Sequence, residues 1–398
     1  MEFLRRKLKN GMMVIMEKRE LPVVALSISN KFGAGFEESR IKGIAHLIEH
    51  LVFTGTKKRS HEDILREIEK KGGILNAFTS HEVTSFWFKL PSEHLFAGLD
   101  ILSDILNNPQ FKEDKFEKEK KVILEEIKMY HDLPQRFVYD MMERNLYEKP
   151  FGESVIGSAE TVSSMKRDFA FDYFRKNYNS GNFIVTIVGN ADFDKVCDYL
   201  ENNFSEKKGE IRRIEIKKIN KELIEEREGI DQAHFLFGVH APLISDQNYA
   251  ALKVLNAYLA EGMSSKLFLK IREEKGLAYS VTGNINSEKS YSYYTIYVGT
   301  KKEALPEIKK IIFEEFDDIK NLSEKSLEET KQQLIGLKKI SAEESTDVMN
   351  EILFFELNRK AEEYYEHEER IKAVSMDQVR KLAVDLVKKY SIAAIVPK

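Results

Sequence analysis

The chain reads as two copies of one arrangement, and that repeat limits its fold more than any other feature. An apolar strand pattern over Ser85–Leu90 is followed by helical periodicity over Glu93–Leu106 and Lys112–Tyr130. The same succession returns as Tyr293–Val298, Glu303–Ile319 and Ser323–Ile340, offset by 208 to 211 residues. Each half also closes on a β-branched run, Phe183–Val188 in the first and Ser391–Val396 in the second. Strands and helices come in blocks and not in strict alternation, which predicts α+β layers instead of a doubly wound parallel sheet. The expected fold is therefore α+β: two similar α/β-sandwich domains with mixed, mainly antiparallel sheets and helices packed on them. At 398 residues, two domains of about 200 residues each have room for substantial cores. The expected division is residues 1–212, a charged linker at 213–228 within the Lys-, Glu- and Arg-rich stretch Glu206–Gly229, and residues 229–398.

Chemistry concentrates in one short stretch of the first half, His46-Leu47-Ile48-Glu49-His50. Apolar residues at Ile44, Ala45, Leu47, Ile48, Leu51 and Val52 predict a helix buried over much of its surface. On it, His46 and His50 stand one turn apart on one face, so two ring nitrogens can reach a single metal ion. Glu49 lies beside them and is placed to take a proton from water instead of binding the metal. Without such a metal, the stretch is an ordinary amphipathic helix with two polar residues that meet by accident. A hydrolytic zinc site usually takes three protein ligands, so a helix with two histidines is incomplete. The third ligand is sought among Glu117, Glu119, Glu125 and Glu126, on a helix marked by Phe116, Val122, Ile123, Ile127 and Tyr130. Most carboxylates in such a pattern belong to a solvated face. Glu119 and Glu126, seven residues apart, share a face from which Glu125 is rotated away.

Together, His46, Glu49 and His50 with Val122-Ile123-Leu124-Glu125-Glu126 resemble the inverzincin peptidases of the M16 family, in which the H-x-x-E-H order is the inverse of the commoner H-E-x-x-H. Gly72-Gly73-Ile74-Leu75-Asn76-Ala77-Phe78-Thr79 is similar to that family's G-G-x-x-N-A-x-T strand. Arg272-Glu273-Glu274-Lys275-Gly276-Leu277-Ala278-Tyr279 is similar to its R-E-x-x-G-L-A-Y segment. The resemblance covers essentially the whole chain and implies a zinc metalloendopeptidase with one zinc per chain. It assigns His46, His50 and Glu126 as metal ligands, Glu49 as general base and Glu119 as a supporting carboxylate. It makes Asn76, Ala77, Phe78 and Thr79 part of a strand, read over Ile74–Thr84, that pairs with substrate backbone. Arg272 and Tyr279 become a substrate clamp; taken alone they would be a capping cation and a core aromatic. The first domain would thus carry the zinc and the second, metal-less one the clamp. At an offset of 211 residues, Ala257, Ala260, Glu261 and Leu337 stand opposite His46, Glu49, His50 and Glu126. Because longer family members fuse two such chains, the resemblance further implies a homodimer, or a heterodimer with a related chain, cutting unstructured oligopeptides. Where the mitochondrial processing branch carries two acids that recognise arginine, this chain has Arg136 and Asp140, which points to a general oligopeptidase.

Composition bounds the alternatives. The net charge is −4 with Lys and Glu intermixed, so no basic stripe is present and nucleic acid is not an expected partner. A single cysteine, Cys197, leaves any zinc site to His and carboxylates. No apolar run approaches the roughly 18 residues of a membrane span. Met1–Glu20 reads as two short strands around Asn10-Gly11 and not as an apolar leader, and the expected location is cytoplasmic. His61, His81, His94, His131, His234, His240 and His367 show no ligand spacing and are expected to be structural or surface groups. Two readings of other classes compete: a scaffold subunit without catalysis, and a module that sequesters extended peptides without cutting them. Both predict that replacing Glu49 changes nothing.

Overall fold

A computed structural model describes residues 2–210 and 215–398. It contains two sheets with helices packed on them. The first is six-stranded, built from β1 (Glu2–Lys7), β2 (Met13–Lys18), β3 (Val23–Asn30), β4 (Ile74–Thr79), β5 (Thr84–Pro91) and β6 (Phe183–Gly189) in the order β1-β2-β6-β3-β5-β4. The second is five-stranded, from β7 (Glu222–Arg227), β8 (Ala233–His240), β9 (Ala278–Ser287), β10 (Ser292–Thr300) and β11 (Ser391–Pro397), in the order β7-β11-β8-β10-β9. All neighbours are antiparallel except β2 with β6 and β7 with β11. Strand for strand the second sheet repeats the first, without a counterpart of β1 among the described residues.

This correspondence revises the linker. Residues 213 and 214 lie outside the described residues, but Glu222–Arg227 is β7, paired in parallel with β11 from Glu222↔Ile392 to Arg227↔Pro397. It is the repeat of β2. Its charges suit an edge strand: Glu222 pairs with Lys309 at 3.2 Å and Glu226 with Lys302 at 2.7 Å. A strand with only one neighbour keeps acidic side chains in water, so its composition resembled that of a linker. The expected strand Ile74–Thr84 is likewise two elements. β4 ends at Thr79, and the chain turns through residues 80–83, closed by Ser80 N donating to Val83 O at 2.8 Å, before β5 begins at Thr84.

The compact units are also not contiguous in sequence. One comprises Met1–Lys128, Glu153–Glu215 and Ser341–Leu357; the other comprises Met129–Gly152, Ile216–Ile340 and Asn358–Lys398. Helix Pro134–Leu146 thus packs in the second unit. Val138, Met141, Met142 and Leu146 join Leu236, Tyr293, Tyr297, Ala393 and Ile395 in an apolar layer on one face of the second sheet. The approach is close at Gly238, where a Cβ would lie 2.4 Å from Met142 Sδ. Its repeat, within Ser345–Asn358, falls mainly in the first unit. There the segment is tied at both ends, by Arg19 Nη1 to Ala342 O at 2.9 Å, Lys89 to Glu344 at 2.6 Å and Arg5 to Glu356 at 2.7 Å. Each sheet buries both faces this way, which is why β3 and β10 are closed to water along nearly all their length.

The first unit's main core lies on the other face of its sheet and includes Leu26, Ile28, Ile48, Leu51, Phe86 and Phe88. Ile44–Val52 is a helix, α1, and contributes Ile44, Leu47, Ile48, Leu51 and Val52 to that core. Burying so many residues of a nine-residue helix holds it firmly, which matters for the side chains it presents.

Candidate metal centre

Two helices build the site. α1 supplies His46, Glu49 and His50, and Glu113–Asp132 supplies Glu119 and Glu126. The rings of His46 and His50 are 4.8 Å apart at 66°. His46 Nε2 lies 3.6 Å from Glu126 Oε2, and His50 Nε2 lies 3.7 Å from the same oxygen. These separations are too long for hydrogen bonds. They do match atoms converging on one ion, since ligand atoms about 2.0–2.1 Å from a tetrahedral zinc are about 3.3 Å from each other. His46, His50 and Glu126 form the only such group of His, Cys, Asp and Glu among the described residues, with ligand atoms within 4.8 Å of one another. The donor set of two imidazoles and one carboxylate fits zinc.

The surroundings prepare each group. Burial drives the His46 imidazole down to about 3, with His50 adding to the effect, so His46 keeps a free nitrogen lone pair at neutral pH. Its Nδ1 is buried without a hydrogen-bond partner. For His50, burial lowers the pKa, but the hydrogen bond to Glu119 and the charges of Glu49, Glu126 and Glu119 outweigh it, and the net shift is upward. His50 Nδ1 is 3.2 Å from Glu119 Oε2; with the proton on Nδ1, this contact directs the Nε2 lone pair toward Glu126 and His46. Burial raises the Glu49 carboxyl, and the Thr79 hydroxyl, donating at 2.5 Å, partly offsets the rise. A carboxylate raised from its ordinary value is better matched to proton transfer near neutrality. Glu125, by contrast, is exposed and pairs with Lys128 at 2.8 Å.

Of the residues expected on the substrate strand, Asn76, Ala77, Phe78 and Thr79 all lie on β4, which among the described residues pairs only with β5 and ends the sheet. Asn76 Oδ1 accepts from the Ala77 amide at 2.8 Å. Thr79 turns out to face the base and not only the edge. Arg272 and Tyr279 belong to the second unit, whereas the metal group belongs to the first. Arg272 sits in a π-helical turn, Leu269–Glu274, with its Cζ 4.9 Å from the Phe268 ring centre and 5.4 Å from that of Tyr279. Tyr279 is 75% exposed, so it is not the core aromatic that its strand pattern alone suggested. Arg136 stacks on Tyr130 at 3.7 Å and donates to its hydroxyl at 2.7 Å. No sequence pattern had marked Glu37, whose fully buried carboxylate accepts from Gly43 N at 2.8 Å and Ala45 N at 2.7 Å. The available signal was Gly43, a residue before α1 with no side chain to cap it.

A short helix with two imidazoles, completed by a carboxylate from a second helix, forms a group that could hold a metal ion within a duplicated α+β fold. Sequence comparison says which proteins share it. Residues 13–159 match the model of the insulinase family, peptidase family M16, and residues 164–334 match that of the peptidase M16 inactive domain. An uncharacterized zinc protease of Bacillus subtilis, YmxG, is 31% identical over 98% of this chain and 97% of its own. An uncharacterized zinc protease of Rickettsia felis is 34% identical over 81% of this chain and 79% of its own. The chain belongs to peptidase family M16. In fold it is similar to a protease from Helicobacter pylori, with a TM-score of 0.92 at 22% identity, covering 100% of this chain and 99% of that one. None of the described helices is long and apolar enough to cross a membrane.

Proposed function

We propose that the chain is a zinc-dependent endopeptidase that cuts unstructured oligopeptides, with one zinc held by His46, His50 and Glu126. The convergence of these three side chains next to Glu49 carries the reading. Zinc bound there supplies Lewis acidity toward a water molecule and the scissile carbonyl. Glu49 accepts a proton from the attacking water and passes it to the leaving nitrogen as the C–N bond breaks. Thr79 holds the Glu49 carboxylate from one side, and Glu119 fixes the orientation of His50. The open edge of β4 aligns an extended peptide through main-chain hydrogen bonds, which selects chains that have not already committed their backbone. Glu49→Gln should retain zinc, measured by metal analysis, and lose cleavage of a random peptide mixture by about 10²–10⁴-fold. Full turnover in that variant would leave the scaffold and peptide-sequestering readings standing instead.

The proposal extends to a homodimer in which Arg272 and Tyr279 of one copy complete the site of the other. Its support is the exposed Tyr279 with the half-buried Arg272 over its ring, and the resemblance to longer chains that fuse two such halves. Mixing inactive Glu49→Gln protein with inactive Tyr279→Phe protein tests it. Mixed dimers then hold one site with both residues intact, and activity should return toward about half of wild type per dimer. No recovery after verified subunit exchange contradicts a clamp acting between copies.

A further inference from the structure

The metal-bearing helix begins in an unusual way. Its N-cap residue, Gly43, has no side chain and adopts φ +94°, so it cannot satisfy the free amides of the first turn in the ordinary manner. No other residue fits easily there, since a Cβ would lie 2.7 Å from Ile156 O and 2.9 Å from Gly157 Cα. The missing cap comes from six residues upstream. Glu37, at the end of the 3₁₀ turn Ala34–Phe36, turns both carboxylate oxygens onto the helix start, Oε2 to Gly43 N at 2.8 Å and Oε1 to Ala45 N at 2.7 Å. The carboxylate has no exposure to water, so these bonds do not compete with solvent.

Fixing two amides two residues apart, those of Gly43 and Ala45, with one rigid carboxylate sets both the position of the helix along its axis and its rotation. Ala45, one of the two, is the residue before His46. Zinc ligands tolerate displacements of only about 0.2 Å, so a small slide of this helix would spoil the convergence on Glu126 from the second helix. We propose that Glu37 is a positioning residue of the metal centre, holding α1 so that His46 and His50 meet Glu126 in ligand geometry. The inference rests on the zinc-centre reading given above.

The test replaces Glu37 and reads the metal without relying on turnover. Glu37→Gln has nearly the same shape and still accepts one amide, but its NH2 group opposes the other. Zinc affinity, measured by competition with a chromogenic chelator, should fall by about 10-fold or more. The visible absorption of the cobalt-substituted protein should also change in position or intensity, because the ligand field follows ligand geometry. If Glu37 only stabilises the fold, the variant melts earlier yet binds zinc with wild-type affinity and shows the wild-type cobalt spectrum; that result overturns the proposal. Should Glu37→Gln fail to fold, Glu37→Asp keeps the charge but is one methylene too short to reach both amides, and unaltered affinity and spectrum in folded E37D overturn it equally. Wild-type protein that binds no zinc at all would remove the metal-centre reading itself, whereas equal binding by wild type and variants removes this inference alone.

Discussion

α1 and helix Tyr249–Ala260 occupy the same place in the two repeats, α1 between β3 and the outermost strand β4 and the other between their counterparts β8 and β9, yet among the described residues only α1 contributes to a group of ligand atoms. Where α1 carries His46 and Glu49, the second helix carries Ala257 and Ala260, both packed in the core. Glu261, opposite His50, is held by its own neighbours. It accepts from Asn256 Nδ2 at 3.1 Å, and its carbonyl accepts from Gln333 at 3.2 Å. Leu337 stands opposite Glu126 and is 43% exposed. The packing of this fold does not depend on the metal group, since the second unit keeps the order of five of the six strands with no such group among its described residues. A three-ligand site needs all its members at once, and the second repeat differs at all four of these positions.

The sharpest way to break this contrast is to make the first unit resemble the second. His50→Ala or Glu126→Gln should lower zinc affinity by at least about 100-fold, read by metal analysis after dialysis against a chelator. Glu125→Gln and Glu261→Gln should bind zinc as wild type does, because Glu125 pairs with Lys128 and Glu261 belongs to no metal-ligating group among the described residues. Equal loss from Glu125→Gln and Glu126→Gln would mean that the register of the second helix differs from that described.

A smaller effect should follow from the hydroxyl that ties β4 to the base. Thr79→Val removes the donor to Glu49 and should cost about 10-fold in kcat, near 1.4 kcal/mol, with zinc content unchanged. Thr79→Ser should restore most of it. A loss in KM alone, with kcat intact, would assign Thr79 to substrate binding at the strand edge instead.

The smallest effect concerns pH and the zinc-free protein. His46 has a folded pKa lowered from 6.5 to about 3, so between these values the unfolded chain binds a proton that the folded one does not. Stability therefore falls as pH drops below about 6.5, by up to about 1.4 kcal/mol per pH unit from this group. His50 shifts the other way: its contribution is fully present below 6.5 and is lost only as pH rises through its elevated folded value, so it adds no slope in that window. Denaturant unfolding of the zinc-free wild type and of His46→Ala between pH 6.5 and 5 should show a shallower decline in the variant. Identical slopes would mean that His46 is protonated in the folded state.

Much of this was legible from local pattern. The apolar spacing around His46 required a buried helix, and a buried helix with histidines four residues apart must place both on one face. The seven-residue spacing of Glu119 and Glu126 fixed a common face in the same way, and structure separates Glu126 from its exposed neighbour Glu125 accordingly. The repeat was visible because burial imposes similar strand and helix periods on both halves. What escaped depended on partners remote in sequence. β7 looked like a linker, since acidic residues are tolerated on an edge strand, and only its pairing with β11 from the far end of the chain shows it to be a strand. Helices Pro134–Leu146 and Ser345–Asn358 display amphipathic faces, but periodicity does not say which sheet a face will cover. Glu37 looked like one acid among many.

By itself, then, the sequence determined most of the elements, their duplication and which polar side chains of each site helix share a face, because these follow from residue type and short-range spacing. Tertiary structure alone decided which units the helices join, that Thr79 reaches Glu49 and that Glu37 caps the helix of His46. Those contacts depend on where distant segments meet in space, and no period of 2 or 3.6 residues carries that information.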